Sequence, residues 1–523
     1  MRKRIRSVLL GVVFGAGAAL AQVEPVKSDP STLTGKMMCG YQGWFAVPSD
    51  AINRGWYHYR NADGLFEPGH CKIDMWPDVS DLDPDERYAT SFTKADGSVA
   101  YVYSAQNAKT VKRHFKWMQD YGIDGVFIQR FVTEVRGSPG LQQFNNVLAN
   151  CRAGASQYGR TFAVMYDLSG LKLGQTSSLI ADWKMLIDTK QVTKDSMYQR
   201  HNGKPVVAVW GMGFNDGRQY TLAECENVVD FLQNDPVYGG CTVMVGVPTH
   251  WRTLDQDAVS DSALIRIAKK ADIISPWFVG RYSSYEGVEF HTQMVVIPDL
   301  EWCVQNNKEY LPVSFPGFSW HNMKPTSPIN QIPRARGAFL WWQYFRFIKA
   351  GSTMLYQAMF DEIDEGTAIF KVTNDPPVGA STFVTYEGLP TDYYLWLVGQ
   401  GRRMLRNEIA LTETIPANPA TGVKSQESDP PREYKLNQNF PNPFNPSTRI
   451  GFTVPCDSFV ELAVFNMIGE RVAMLVEGVR RAGYHEASWN GSDDSGISMP
   501  SGVYLCRLSS AGSLMAQKMI LIR

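Results

Sequence analysis

Four carboxylates fall within five residues at Asp361-Glu362-Ile363-Asp364-Glu365, and the string closes on Gly366-Thr367. Like charges this close repel, so the arrangement is costly unless it has a task or holds a cation. Glu362 and Glu365 stand at i and i+3. On a helical turn such positions are neighbours, with about 5–6 Å between Cβ atoms. Glycosidic bond cleavage with retention uses two carboxyl groups about 5–5.5 Å apart. Repulsion between them raises one pKa and leaves one acid and one base. The plainer alternatives are a solvated acidic turn or a calcium loop.

Chemistry on a sugar also wants flat apolar faces with polar groups beside them. The chain carries 14 Trp, 23 Tyr and 26 Phe, a load that suits such a ligand, although core packing absorbs most aromatics in any protein. Trp44, Trp56, Trp76, Trp210, Trp251, Trp277, Trp320 and Trp342 all fall near expected strand ends or in one long loop. For any one of them a core role is the simpler expectation; as a set, several should line one cleft.

The elements that must position these groups alternate. Short apolar, β-branched runs at 37–41, 124–130, 161–167, 205–210, 242–247, 271–277, 311–315 and 353–360 read as buried parallel strands. Helical patterns such as 107–121, 139–156, 176–188, 219–233 and 333–348 lie between them. Eight strand–helix units in some 330 residues predict an α/β fold of the (β/α)8 TIM barrel type rather than a doubly wound sheet. Barrel chemistry sits at the C-terminal strand ends. The residues there are Tyr41, Gln42 and Trp44, then Gln129 and Arg130, Tyr166 and Asp167, and Trp210. The later strands lead to His250, to Trp277 and Tyr282, to Trp320 and His321, and to Asp361 with the acidic string. Residues 42–105 form a long excursion after the first strand, where active-site walls are usually built.

Composition narrows the partners. With 51 Lys+Arg against 52 Asp+Glu the net charge is -1, which argues against nucleic acid. No stretch after the N-terminus reaches about 18 apolar residues, so no membrane span is expected. The acidic run Asp78, Asp81, Asp83, Asp85 and Glu86 lacks the glycine of a calcium loop and reads as a solvated loop; no metal is assigned. Gly211-Met212-Gly213 lacks the third glycine of a dinucleotide site, and no cofactor is expected. G-x-S-x-G and H-E-x-x-H are absent, which counts against serine esterases and zinc proteases.

Asp361-Glu362-Ile363-Asp364-Glu365-Gly366-Thr367 after an apolar strand resembles the Glu-x-x-Glu-Gly-Thr signature of glycoside hydrolase family 99 and the related family 71. Tyr41-Gln42-Gly43-Trp44-Phe45, Gly55-Trp56-Tyr57-His58 and Asp74-Met75-Trp76-Pro77-Asp78 resemble the bacterial 71/99-like subgroup. The likeness spans roughly residues 35–405. It implies an endo-α-mannosidase-related barrel and adds His58, Asp74 and Trp76 to the substrate-facing set. It implies Glu362 as base on the sugar 2-hydroxyl, giving a 1,2-anhydro intermediate, and Glu365 as general acid. The family usually has Trp-His between the glutamates; here Ile363-Asp364 stands there, so a direct nucleophile at Glu362 remains an alternative. The expectation is a secreted glycoside hydrolase acting on a polysaccharide or glycan. The alternatives are a non-catalytic carbohydrate-binding surface protein on the same barrel, and a structural or adhesive surface protein.

Three segments frame this body, expected to span 22–410. Arg2, Lys3, Arg4 and Arg6, an apolar run from Val8 to Leu20, and Ala19-Leu20-Ala21 read as a signal peptide over 1–21. Residues 411–433 have linker composition. Residues 434–523 alternate apolar and polar positions between turns such as Asn490-Gly491, the pattern of a small β-sandwich. Asn439-Phe440-Pro441-Asn442-Pro443-Phe444-Asn445-Pro446, Phe465-Asn466-Met467-Ile468-Gly469-Glu470 and Pro500-Ser501-Gly502-Val503-Tyr504 resemble the C-terminal sorting domain of type IX secretion substrates. They are also similar to the immunoglobulin-like domain of flagellar hook-capping proteins. The likeness implies the type IX machinery as a partner and a secreted or cell-surface location in a Gram-negative bacterium. Export permits disulfides; none of the eight cysteines forms C-x-x-C, and Cys456 and Cys506 are a candidate pair.

Overall fold

The computed structural model describes residues 27–418, 434–439, 441–455, 458–480, 483–510 and 513–523. The expected signal peptide and most of the expected linker lie outside the described residues. The chain divides into two compact units, the first ending at Pro416 and the second running from Ala417 to Arg523.

The first unit is a parallel barrel. Its strands are Met37–Tyr41, Gly125–Phe131, Thr161–Asp167, Lys204–Trp210, Thr242–Val247 and Ile273–Pro276, then a seventh in two pieces, and Leu355–Gln357. Each pairs in parallel with the next, and the eighth pairs with the first, Met37 opposite Leu355. The seventh strand is split because Pro312 has no N–H to give. Glu309–Tyr310 pairs with the sixth strand and Val313–Ser314 with the eighth. The Pro312 carbonyl still accepts from Tyr356 N, at 3.0 Å, so the ring closes. The expected run 353–360 shortens to Leu355–Gln357 because the chain turns inward there to carry the acidic string. The strands are almost wholly buried, as strands covered on both faces should be.

A helix follows every strand. Asn107 accepts from Lys109 N at 3.0 Å to start the helix Ala108–Tyr121, and Thr221 with Glu224 forms a capping box for Leu222–Asn234. The helices Gly140–Tyr158, Ser177–Asp188 and Ala338–Lys349 match the expected segments closely.

Strand alternation sorts the polar residues. In the second and third strands Gln129 pairs with Met165 and Arg130 with Tyr166. Gln129 and Met165 touch inside the barrel. Arg130 and Tyr166 face the other way, toward the helix Ser177–Asp188. There Asp182 takes a bidentate contact from Arg130, at 2.5 and 2.8 Å, and the Tyr166 hydroxyl at 2.7 Å. Arg130 is fully buried. The structure therefore places these two expected substrate contacts behind the barrel wall, as a strut between strands and helix.

The long excursion is an ordered cap. It contains the hairpin Tyr88–Thr93/Val99–Val102 and its own core of Phe66, Trp76 and Phe92, joined by Phe383. Its acidic run is neutralised by cations: Lys109 meets Asp83 and Asp85, Arg113 meets Glu86, and Lys371 meets Asp81.

The second unit is all antiparallel β. Lys435–Leu436, Thr448–Val454 and Gly483–Trp489 form one sheet; Arg471–Arg480, Ser458–Phe465, Gly502–Ser510 and Ser513–Leu521 form the other. Ile450, Phe452, Val460, Leu462, Trp489, Cys506 and Leu508 form the core. Cys39, Cys71, Cys151, Cys225, Cys241 and Cys303 are buried free thiols. Cys456 lies outside the described residues, and with it the candidate pairing to Cys506.

Replacing Arg130 with Met should destabilise the barrel by about 3–5 kcal/mol, because Asp182 would be left buried without its counter-charge. Denaturant titration followed by tryptophan fluorescence measures this; a loss below about 1 kcal/mol would contradict the strut.

Candidate active site

The site is built where the eighth strand ends. Asp361 is fully buried, and its two oxygens accept from the backbone N–H groups of Gln42 at 2.7 Å and Gly43 at 2.9 Å. It thus ties the end of the eighth strand to the end of the first. Gly43 has φ +61, and a Cβ there would lie 2.5 Å from Val147 Cγ1; only glycine presents its N–H to Asp361 in this way.

Glu362 is 4% exposed. Gln42 Nε2 donates to its Oε1 and the Thr367 hydroxyl to its Oε2, each at 2.6 Å. Its carbonyl accepts from Thr367 N and Ala368 N, at 3.2 and 2.9 Å, closing residues 362–368 into a turn. This turn is not the helical one that the spacing suggested, but it does bring Glu365 back toward Glu362. Gly366, at φ +64, makes the reversal. A Cβ there would meet Ser319 N at 2.9 Å, while Ser319 N donates to the Glu365 carbonyl at 2.9 Å.

Asp364 is 1% exposed; its Oδ2 lies 3.1 Å from His58 Nδ1 and 3.8 Å from Lys72 Nζ. The His58 ring stacks on Trp44 at 3.8 Å, and Trp44 stacks on Phe131 at 5.2 Å. Glu365 is half-buried.

Electrostatics separate these acids. Burial raises the Asp361 pKa to about 7 despite its backbone donors. Burial, then the Asp364 charge, raises Glu365 to about 7, with Lys72 opposing. Burial, then the charges of Glu365 and Asp364, pushes Glu362 well above the usual carboxylate range. Glu362 and Glu365 therefore act on one another, and near neutral pH the pair keeps a proton. One can give a proton while the other accepts one.

Across the mouth, Trp210 meets Trp277 edge-to-face at 5.4 Å, and Trp277 meets Tyr356 at 6.3 Å. Gln129 Nε2 reaches the Tyr356 hydroxyl at 3.4 Å. Asp167 lies beside Trp210 in the strand register and accepts from Ser169 N at 2.7 Å. Trp320 follows Ser319 and carries Lys324 over its ring at 4.5 Å. Several polar atoms here are buried without a partner: Nε1 of Trp44, Trp210 and Trp320, Oε1 of Gln42 and Gln129, and Asp364 Oδ1. Buried polar groups are normally paired, and these six atoms at the mouth are ones that a polar ligand could complete, although other such atoms lie elsewhere in the barrel, among them Tyr103 Oη, His291 Nε2 and Trp342 Nε1.

The other expected contacts have structural partners. Asp74 accepts from the Ser319 hydroxyl and from His321 N and Asn322 N, the last two at 2.7 Å, and so locks the excursion to the loop after the seventh strand. The Tyr41 hydroxyl meets His114 Nδ1 at 2.9 Å, Trp76 Nε1 donates to the Tyr101 carbonyl, and Trp56 packs on Phe66. Tyr282 donates to Gln343 within the core. His250 is held by Asp257, and His321 Nδ1 by the Ser327 carbonyl. Lys72, Phe131 and Tyr356 belong to the site and escaped the sequence reading, whereas Thr367 closed the acidic string there. Phe131 and Tyr356 carried a signal, since strand parity and register place them with Gln129. Lys72 carried none.

No family model matches the chain, and no curated protein matches it. Among solved structures the barrel is similar to the family 99 endo-α-mannosidase of Bacteroides thetaiotaomicron. The identity is 15%, with 72% of this chain and 99% of that one covered, at a TM-score of 0.53. The same enzyme in complex with bis-tris propane gives 14% identity, the same coverage and a TM-score of 0.52. At this identity the likeness concerns the fold. The first unit thus has a (β/α)8 barrel fold like that of these structures.

A stability prediction follows from the Glu365 shift. Its folded pKa of about 7 lies above the ordinary glutamate value of 4.5, so the folded protein binds the extra proton. Stability falls as pH rises between those values and stays reduced above about pH 7. Glu365→Gln removes the charge, and should raise Tm by roughly 2 °C at pH 8 and leave it unchanged at pH 4. Thermal melts at both pH values check this; equal shifts at the two would contradict it.

Proposed function

We propose that the protein is a secreted glycoside hydrolase that cuts within a polysaccharide or glycan, with Glu362 and Glu365 as its catalytic pair. The observation that carries the reading is the proton-sharing buried pair at the end of the eighth strand, ringed by stacking aromatics and unmet hydrogen-bonding atoms. Glu365 has the freer side chain. As general acid it protonates the glycosidic oxygen while the bond from that oxygen to the anomeric carbon breaks. Glu362, fixed by Gln42 and Thr367, faces the other partner in the reaction. It removes the proton of the sugar 2-hydroxyl, whose oxygen then closes on the anomeric carbon, or it attacks that carbon itself. Glu365, now ionised, takes a proton from the water that opens the intermediate. Similarity to an endo-α-mannosidase supports α-mannose-like sugars as the first substrates to try.

Wild type should release reducing ends from a glycan panel, and Glu365→Gln and Glu362→Gln should each lower kcat by about 10²–10⁴-fold. Binding without cleavage of any glycan would favour a carbohydrate-binding protein on the same barrel. The kcat/KM profile should be bell-shaped in pH, because one carboxyl of the pair must be ionised while the other is protonated. A profile flat from pH 4 to 8, with chemistry limiting, would remove the pair from the mechanism.

We further propose that residues 1–21 direct export and residues 434–523 act as a type IX sorting domain. Truncation after residue 433 should leave the barrel in the periplasm of a type IX-competent host, whereas the full chain reaches the surface or the medium. Immunoblots of cell fractions read the difference; equal surface delivery of both would refute the assignment.

A further inference from the structure

Beside the acid pair, the excursion and the loop after the seventh strand enclose a cavity of about 350 Å³, within the range of small-molecule sites. Tyr57, His58, Arg60, Asn61, Lys72 and Met323 line it, and no carboxylate does. His58 and Lys72 belong to both places. They hold Asp364 from the cavity side, and Lys72 is close enough to oppose the shift of Glu365. The cavity therefore adjoins the reacting position.

Among the described residues several cations near the excursion have an acidic partner: Arg54 has Glu134, Lys109 has Asp83, Arg113 has Glu86 and Lys371 has Asp81, while Arg87 is taken up by the carbonyls of Leu82 and Ser80. Arg60 has no acidic partner among the described residues; its guanidinium is exposed at the cavity wall. Lys72 spends one contact on Asp364 at 3.8 Å and another on His58 at 3.5 Å, and its ammonium has three donors. The Tyr57 ring and Met323 supply apolar wall.

We propose that this cavity is a subsite for a sugar bearing an anionic substituent, a carboxylate or a sulfate, held between Arg60 and Lys72. A guanidinium offers a planar fork that matches either oxyanion, and the Lys72 ammonium, which lines the same cavity, adds a point charge. A neutral sugar would leave Arg60 unused. The inference deepens the hydrolase reading by naming the substrate class, and depends on that reading for the reaction but not for the binding.

The test uses the full chain carrying Glu365→Gln, so that bound glycans are not consumed. Calorimetry compares uronic-acid oligosaccharides with their carboxyl-reduced twins, and sulfated oligosaccharides with their desulfated twins. The anionic member of one pair should bind about tenfold tighter than its twin, as expected for hydrogen bonds to a charged group. The pair that shows the preference identifies carboxylate or sulfate. Adding Arg60→Ala should erase most of the preference, and Arg60→Lys should retain part of it. Raising the salt concentration should weaken the anionic ligand alone. Twins that bind equally, or a preference untouched by Arg60→Ala, would overturn the subsite. If wild type cuts neutral glycans as readily as anionic ones, the subsite falls and the hydrolase stands. If anionic glycans bind by way of Arg60 but wild type never cuts them, the hydrolase falls and the subsite stands. If neither class binds, both fall.

Discussion

Everything at this barrel mouth depends on how four adjacent carboxylates are taken out of water. An unpaired buried charge costs several kcal/mol, so the surroundings must answer each one or keep it protonated. The answers differ. Asp361 receives two backbone N–H groups. Glu362 receives an amide and a hydroxyl. Asp364 receives an imidazole and a more distant ammonium. Glu365 has no charged partner of its own, and only its backbone carbonyl is engaged, by Ser319. Compensation thus falls along the string, and the last carboxyl is the one free to exchange its proton. Four carboxylates and one isoleucine in a row become a staple, an oriented carboxylate, a core residue, a paired anion and a half-buried acid.

Two aspartates in this region do mechanical work. Asp361 joins the eighth strand to the first. Asp74 joins the excursion to the loop after the seventh strand through one hydroxyl and two backbone donors. Ile363 completes the lock, since its carbonyl accepts from Asp74 N and Met75 N. Three loops distant in sequence are therefore pinned around the turn that carries Glu362 and Glu365. The catalytic pair proposed for this turn would need that rigidity, because small misplacements cost large factors in rate. Buried hydrogen bonds to a carboxylate supply it better than apolar contacts would, since they fix direction as well as distance.

Much of the fold was legible because buried parallel strands write themselves as short β-branched runs. The eight runs and the intervening helical patterns named the architecture, and Pro312 shows why one strand end was misjudged: a residue without an N–H cannot continue the ladder. The candidate site was legible in part. The acidic string announced itself by its improbable charge density. The strand-end residues were over-collected, because Gln129 and Arg130 were both assigned to the mouth although neighbours on a strand face opposite ways. Applying that parity sends Arg130 and Tyr166 outward together, as the Asp182 strut requires. Asp74 and His250 look from sequence like ligand contacts, and only the fold reveals that backbone donors and an Asp257 contact use them. Lys72 was invisible, since a single lysine in a loop carries no periodicity.

The near-zero net charge has a meaning that the total conceals. The excursion is itself acidic, with ten Asp and Glu against five Lys and Arg over residues 42–105, and part of that excess is answered by Lys109, Arg113 and Lys371 from outside it. Matching of that kind makes a local mismatch informative. Where the acids outnumber their partners, at 361–365, the excess is buried and becomes proton chemistry. Where a cation lacks an acidic partner, at Arg60, it lines a cavity beside Lys72. The two mismatches have opposite signs and share Lys72 and His58 as their boundary. A ligand spanning them would present its reacting oxygen to the acids and its negative substituent to the cations, so the separation of charge along the mouth would orient the ligand as well as attract it.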